Sequence, residues 1–321
     1  VRTKAINSIR SYLQKENFLE VETPMLQPIP GGTTARPFMT HHNALDANLY
    51  LRIAPELYLK RLLVGGYDRV FEIGRNFRNE GIDVTHNPEF TMLEAYAAYH
   101  DYEWLMNFIE GMTKQLIKDI FKKKSFSYGG KEIGIKDKYK RMSFFETITR
   151  YALLPHADKM SKGDLEIAAK RFGITVSPAA NSAMLLEDIF RKAVRPYLVQ
   201  PTFVYDWPAE LLPLAKRSAE HPALVEAFQL YIGGIELLKG FSELNDPVDQ
   251  RTRFEEQEER RKMGDDEASP SDQDFLENLE YGMPPAAGFG IGIERLIMLL
   301  TDTHNIREVI FFPTLRPRQG D

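Results

Sequence analysis

No cysteine occurs in the 321 residues, which excludes disulfides, thiolate metal sites and a cysteine nucleophile. Any metal must be held by oxygen or by histidine. No apolar run approaches membrane length: the most apolar stretch near the C-terminus, Leu296 to Leu300, is bracketed by Arg295 and Asp302. Val1 to Ile6 contain neither a starting methionine nor the apolar core of a signal peptide, so the chain reads as beginning inside a longer parent, with a cytoplasmic location expected. There is also little excess of charge. The 41 basic and 46 acidic side chains leave a formal charge of -5, so an RNA partner would need a local patch. What is present, 43% hydrophobic and 27% charged residues, is ordinary globular composition, enough for one large domain or two smaller ones.

Ala5, Ile6, Ile9 and Leu13 recur at helical spacing through Val1 to Asn17, and Phe18 to Glu22 then alternates as a strand that Pro24 stops. Pro55 to Val64 reads as a helix with Glu56 in its first turn. Val70 to Arg78 and Phe90 to Tyr99 are strands separated by the turn signals Asn79-Glu80-Gly81 and Asn87-Pro88, which predicts a long antiparallel hairpin with a looped tip. Tyr102 to Phe121 is a predicted helix, followed by a lysine-rich stretch that reads as a solvated loop or strand pair ahead of a nucleic-acid contact. Ser143 to Tyr197 is mainly helical, and Thr202 to Tyr205 and Phe228 to Glu243 return to strand character. A charged helix near Val248 to Met263 and a short polar linker at Ala268 to Ser271 complete the pattern, with no internal repeat.

Alternate side chains of a strand share a face, so Phe90, Met92, Glu94, Tyr96 and Ala98 point the same way and set one carboxylate among mostly apolar groups. Such a carboxylate either meets a cation inside the protein or waits for one from a ligand. Arg75 and Arg78 offer bidentate donors suited to phosphate, though arginines on strands are also common as plain surface charge. Gly288, Gly290 and Gly292 precede an apolar helical run with Arg295 near its start. That arrangement permits close backbone approach to a polyphosphate, or simply tight strand-to-helix packing. It has neither dinucleotide-fold spacing nor a P-loop ending.

Taken in order, these pieces resemble the three signature motifs of class II aminoacyl-tRNA synthetases. Phe18 to Pro24 resembles motif 1, Phe77-Arg78-Asn79-Glu80 through Phe90 motif 2, and Gly288 to Leu296 motif 3. Within that class, Gly31-Gly32 to Phe38, His41 to Leu45, Ala54 to Arg61 and Gly240 to Asp246 resemble the lysyl-tRNA synthetases over essentially the whole chain. The resemblance implies an α+β fold, an antiparallel sheet flanked by helices, as a single catalytic domain over 1–321 with a mainly helical insertion at about 143–197. The N-terminal anticodon-binding OB-fold of the family has no counterpart in the chain. A homodimer through the motif 1 region is also implied.

The implied activity is ATP-dependent formation of lysyl-adenylate with magnesium as cofactor, followed by transfer to the acceptor end of tRNA(Lys). Arg78 would hold the ATP α-phosphate, Glu80 the adenine amino group, and His86 and Arg295 the outer phosphates. Phe90 and Arg295 would sandwich the adenine, and Asn87 would line the same site. Gly32 and Glu56 would take the α-amino group of L-lysine and Arg78 its carboxylate, while Glu94, Tyr96 and Glu243 would surround the ε-ammonium.

The chain departs from the family pattern before Gly240. Two magnesium-binding glutamates and an asparagine that contacts the substrate carboxylate correspond here to Gln229, Glu236 and Lys239. A neutral glutamine weakens a hard-cation site, and a lysine at 239 can pair with a carboxylate or compete with the substrate. Two other readings stand beside the first: a ligase that places lysine-type groups on elongation factor P, and a synthetase-like binding module with weakened catalysis.

Overall fold

Ala5, Ile9 and Leu13 are all buried, which is why the opening segment folds as helix α1 (Arg2–Lys15). The computed structural model describes residues 1–177, 180–263 and 270–315. After α1 comes β1 (Leu19–Glu20), shorter than the alternation of Phe18 to Glu22 predicts, with Pro24, which has no N–H for a ladder, close behind. Strands β2 (Leu26–Gln27), β3 (Phe38–His42) and β4 (Ala47–Leu51) form a small antiparallel sheet in the order β2-β4-β3. Helix α2 (Glu56–Val64) starts at Pro55 and packs on β5 (Arg69–Phe77) and β6 (Glu89–Ala98). β5 and β6 are the predicted hairpin, in antiparallel register from Arg69↔Ala97 to Phe77↔Glu89, and β1 joins β5 in parallel.

The described chain divides into two compact units, one comprising residues 1–99, 245–286 and those from 290 onward, the other 100–244 with 287–289. The second unit opens with α3 (Tyr102–Phe121), where Asp101 accepts from the Trp104 amide as N-cap; the helix has the bounds its periodicity predicts. The lysine-rich stretch contains the strand pair β7 (Ser125–Tyr128) and β8 (Lys131–Gly134), followed by β9 (Lys140–Ser143). Helices α4 (Phe144–Thr147), α5 (Lys162–Arg171) and α6 (Ser182–Ile189), with π-helical and 3-10 turns between them and on to Tyr197, supply the expected helical segment. Phe144, Phe190 and Trp207 meet ring to ring at their centre.

The strand-like stretch from Phe228 to Glu243 is two strands. β11 (Leu224–Ile232) turns into β12 (Ile235–Ser242) at Gly233 and Gly234, whose φ values of 64° and 76° a side chain would oppose. β10 (Thr202–Pro208) pairs antiparallel with β11 and parallel with β9, and α3 packs on β11 and β12.

The first unit resumes with α7 (Pro247–Lys262) and α8 (Gln273–Gly282). Strand β13 (Ala286–Gly292) then leads directly into α9 (Ile293–Leu300). Of the predicted polar linker, Ala268 and Ser269 lie outside the described residues. Both units are α+β, mainly antiparallel strands with flanking helices, as the sequence implies. Among the described residues no helix is long and apolar enough to cross a membrane.

Candidate active site

Motif 2 becomes the β5–β6 hairpin and the loop between its strands. Arg78 follows the last residue of β5, its amide donating to Pro88 O at 2.8 Å, and its guanidinium lies over the Phe90 ring, 5.0 Å from the centroid. The structure therefore places Arg78 on Phe90 and sends Arg295 elsewhere, to His86 Nε2 at 3.0 Å. A guanidinium can only donate, so Nε2 accepts and the proton of the imidazole is on Nδ1, which faces Asp83 Oδ2 at 2.8 Å. Burial pushes the Asp83 carboxyl up, but the Thr85 and His86 hydrogen bonds outweigh it and bring it down to about 2. Asp83, His86 and Arg295 form one chain of hydrogen bonds.

Asn87 is buried, with its amide nitrogen on Glu89 O at 2.7 Å and its Oδ1 without a hydrogen-bond partner among the described residues. That oxygen is free to accept from a ligand. Glu80 is exposed beyond the end of β5. Arg295 is aimed by its neighbour Glu294, which sequence reading passed over: its carboxylate accepts from Thr91 N on β6 at 2.9 Å and pairs with Arg2 at 3.0 Å, fixing the start of α9 to the hairpin. Gly290 lies equally close to β6: a Cβ there would stand 2.6 Å from the flexible end of Met92.

Glu94 is 3% exposed, and its Oε2 accepts from the Tyr96 hydroxyl at 2.8 Å. It makes no ion pair among the described residues, so the internal salt bridge weighed for it is absent. Burial first, and then the nearby Glu56 carboxylate, push Glu94 up to about 8, against the Tyr96 hydrogen bond and the fields of Arg78 and Lys60. Glu56 does have a cation. Lys60, one turn along α2 and fully buried, reaches its Oε1 at 2.7 Å, and burial still raises the Glu56 carboxyl. Lys60 was not among the expected site residues, although its i,i+4 spacing from Glu56 was a usable signal. Gly32, at φ 91°, brings its backbone to Glu56: a Cβ there would lie 3.0 Å from Glu56 Cβ. Gly32, Glu56, Arg78, Glu94 and Tyr96 thus belong to one unit, two buried carboxylates with one resident ammonium between them.

The other expected residues belong to the second unit. Glu243, just after β12, is 1% exposed and bridges Ala215 in antiparallel fashion. Gln229 lies opposite Lys239 across β11 and β12. Its Oε1 accepts from the Tyr231 hydroxyl, and Lys239 Nζ stands 3.7 Å from Glu236 Oε1. Among the described residues no three histidine, aspartate or glutamate side chains gather as a metal cage. One carboxylate facing an ammonium, beside an amide oxygen already in use, is a poor fit for the octahedral oxygen shell of magnesium.

A hairpin ending in an arginine over an aromatic ring, a loop imidazole bonded to a second arginine, and a glycine strand running into that arginine's helix are motifs 2 and 3 in space. The chain belongs to the family described as tRNA synthetases class II (D, K and N), whose family model matches residues 1–316. Within it, the similarity is to proteins named lysine-tRNA ligase. The chain is 50% identical over 320 residues to that of Magnetococcus marinus, covering 99% of this chain and 64% of the relative. It is 51% identical to that of Pelotomaculum thermopropionicum, covering 99% and 63%, and 50% identical to that of Vibrio parahaemolyticus, covering 99% and 64%. The chain spans less than two thirds of the length of these curated relatives.

Proposed function

We propose that the chain activates L-lysine with ATP, giving lysyl-adenylate and pyrophosphate, and passes the lysyl group to the terminal ribose of tRNA(Lys). The observation that carries this reading is Glu94, a buried carboxylate beside Tyr96 that makes no ion pair among the described residues, Lys60 being bonded to Glu56. A lysine side chain supplies one, and a neutral isostere leaves the site short of a charge. Glu56 and the backbone of Gly32 serve the α-amino group and Arg78 the carboxylate. Glu243 carries the resemblance's assignment to the same amino acid, an expectation that the geometry of the first unit neither includes nor needs.

A lysine carboxylate oxygen attacks the α-phosphorus of ATP, the bond from that phosphorus to the bridging oxygen breaks, and pyrophosphate leaves with the electron pair. Arg78 and Arg295 neutralise charge on the phosphates, His86 holds Arg295 in place, and Asn87 Oδ1 and Glu80 accept from the adenine side. Magnesium bound to the triphosphate would add charge neutralisation there. A cytoplasmic location goes with this reading.

Dimerisation through the motif 1 region has support in exposed apolar side chains there: Leu19, Met25 and Leu26 are 48%, 46% and 47% exposed. The reading of the activity is tested by amino-acid-dependent pyrophosphate exchange with a panel of amino acids. Lysine alone is expected to support it, and exchange with another amino acid but not lysine refutes the assignment. Purified tRNA and elongation factor P, offered separately with labelled lysine, identify the acceptor.

A further inference from the structure

Four side chains share one face of the β11–β12 hairpin. Gln229 and Tyr231 are two residues apart on β11, and their cross-strand partners are Lys239 and Glu236. Glu236 and Lys239 are three apart, so strict alternation would send them to opposite faces. The register shift between Leu230 and Tyr231 restores them to the same one. The result is a closed set: Tyr231 donates to Gln229 Oε1, and Lys239 Nζ faces Glu236 Oε1 at 3.7 Å.

The set has no spare negative charge. The Tyr231 hydroxyl is committed to Gln229 Oε1, and that oxygen is neutral. Arg191 is 3.9 Å from Glu187 and 3.3 Å from Asp188. Glu187, Asp188 and Glu236 therefore each face a cation from this chain.

We infer that the β11–β12 face carries its own cation, Lys239, in place of a divalent ion, and that this chain holds no magnesium there without nucleotide. The reading of the fold as a synthetase explains why an ion is expected at this face. The inference itself concerns only Gln229, Tyr231, Glu236 and Lys239, and its test uses neither ATP nor lysine, so it stands or falls apart from the proposed activity.

The experiment titrates the chain with Mn2+ and follows the free ion by electron paramagnetic resonance, with melting curves to verify folding. The isotherm of the unaltered chain is expected to superimpose on that of Glu236→Gln, a partly exposed position at which the substitution is mild. The double substitution Gln229→Glu with Lys239→Asn turns a neutral face into one with two carboxylates. It is expected to tighten Mn2+ binding by at least about tenfold. A site in the unaltered chain that Glu236→Gln weakens overturns the inference, as does a folded double variant that binds no better. Should the double variant not fold, Lys239→Asn alone is decisive: tighter Mn2+ binding supports the resident-cation role, and an unchanged isotherm refutes it.

Discussion

Lysine binding should release a proton from Glu94. With the carboxyl raised to about 8, the free protein at pH 7 holds Glu94 protonated by roughly ten to one. An ammonium ligand needs the ionised form, so the proton must leave, which costs about 1.4 kcal/mol at pH 7, a tenfold loss of affinity. The groups that act on the carboxyl are Glu56, Tyr96, Arg78 and Lys60. Lysine affinity should therefore rise about 25-fold between pH 6.5 and 8.5, flattening above the Glu94 value. Stability without ligand moves the other way. A folded-state value above the usual 4.5 means that the protonated form favours the fold; that contribution is complete below 4.5 and is lost as pH rises through about 8. Isothermal titration calorimetry in buffers of different ionisation enthalpy reads both affinity and proton count. About 0.9 protons released at pH 7 is the expected result, and Glu94→Gln should bind lysine more weakly with no pH slope and no proton release. A flat profile in the unaltered protein, or proton uptake, refutes the reasoning.

Three further outcomes are expected. Lys60→Met strands Glu56 in the interior and should lower stability by about 3 kcal/mol in urea unfolding, with much of the loss recovered when Glu56→Gln is added. Gly74→Ala should cost a similar ~3 kcal/mol, because the new Cβ would stand 2.1 Å from Arg52 Nη2 and displace the buried guanidinium from Glu72; an unchanged melting temperature would show that Arg52 can move aside. Asp83→Asn releases His86 from its orientation and should weaken ATP binding by roughly fivefold in calorimetry while leaving lysine affinity alone. The Asp83 contribution is present above its ordinary 3.8 and disappears only as pH falls through about 2, so it is constant across the working range.

Periodicity alone located much of the fold. α3 has the predicted bounds, and the β5–β6 hairpin lies within a residue of the predicted strands, since helical spacing and turn residues act over short distances. The β11–β12 turn escaped notice because Gly233 and Gly234 sit inside a continuous apolar run, and only their positive φ makes them a break.

For the site, the sequence by itself determined the cast: three ordered motifs, a lone carboxylate at Glu94 on an apolar strand face, and the departures at Gln229 and Lys239. Tertiary structure decided how those residues are paired. Glu56 is paired with Lys60 while Glu94 accepts from the Tyr96 phenol, Arg78 rather than Arg295 covers Phe90, and Arg295 is held on His86 with Glu294 bonded to Thr91. Lys239 faces Glu236 because a register shift brings them to one side of the sheet. Residue types and local spacing are written along the chain. Which charge meets which depends on strands and helices far apart in sequence, and on bulges that alternation does not foresee.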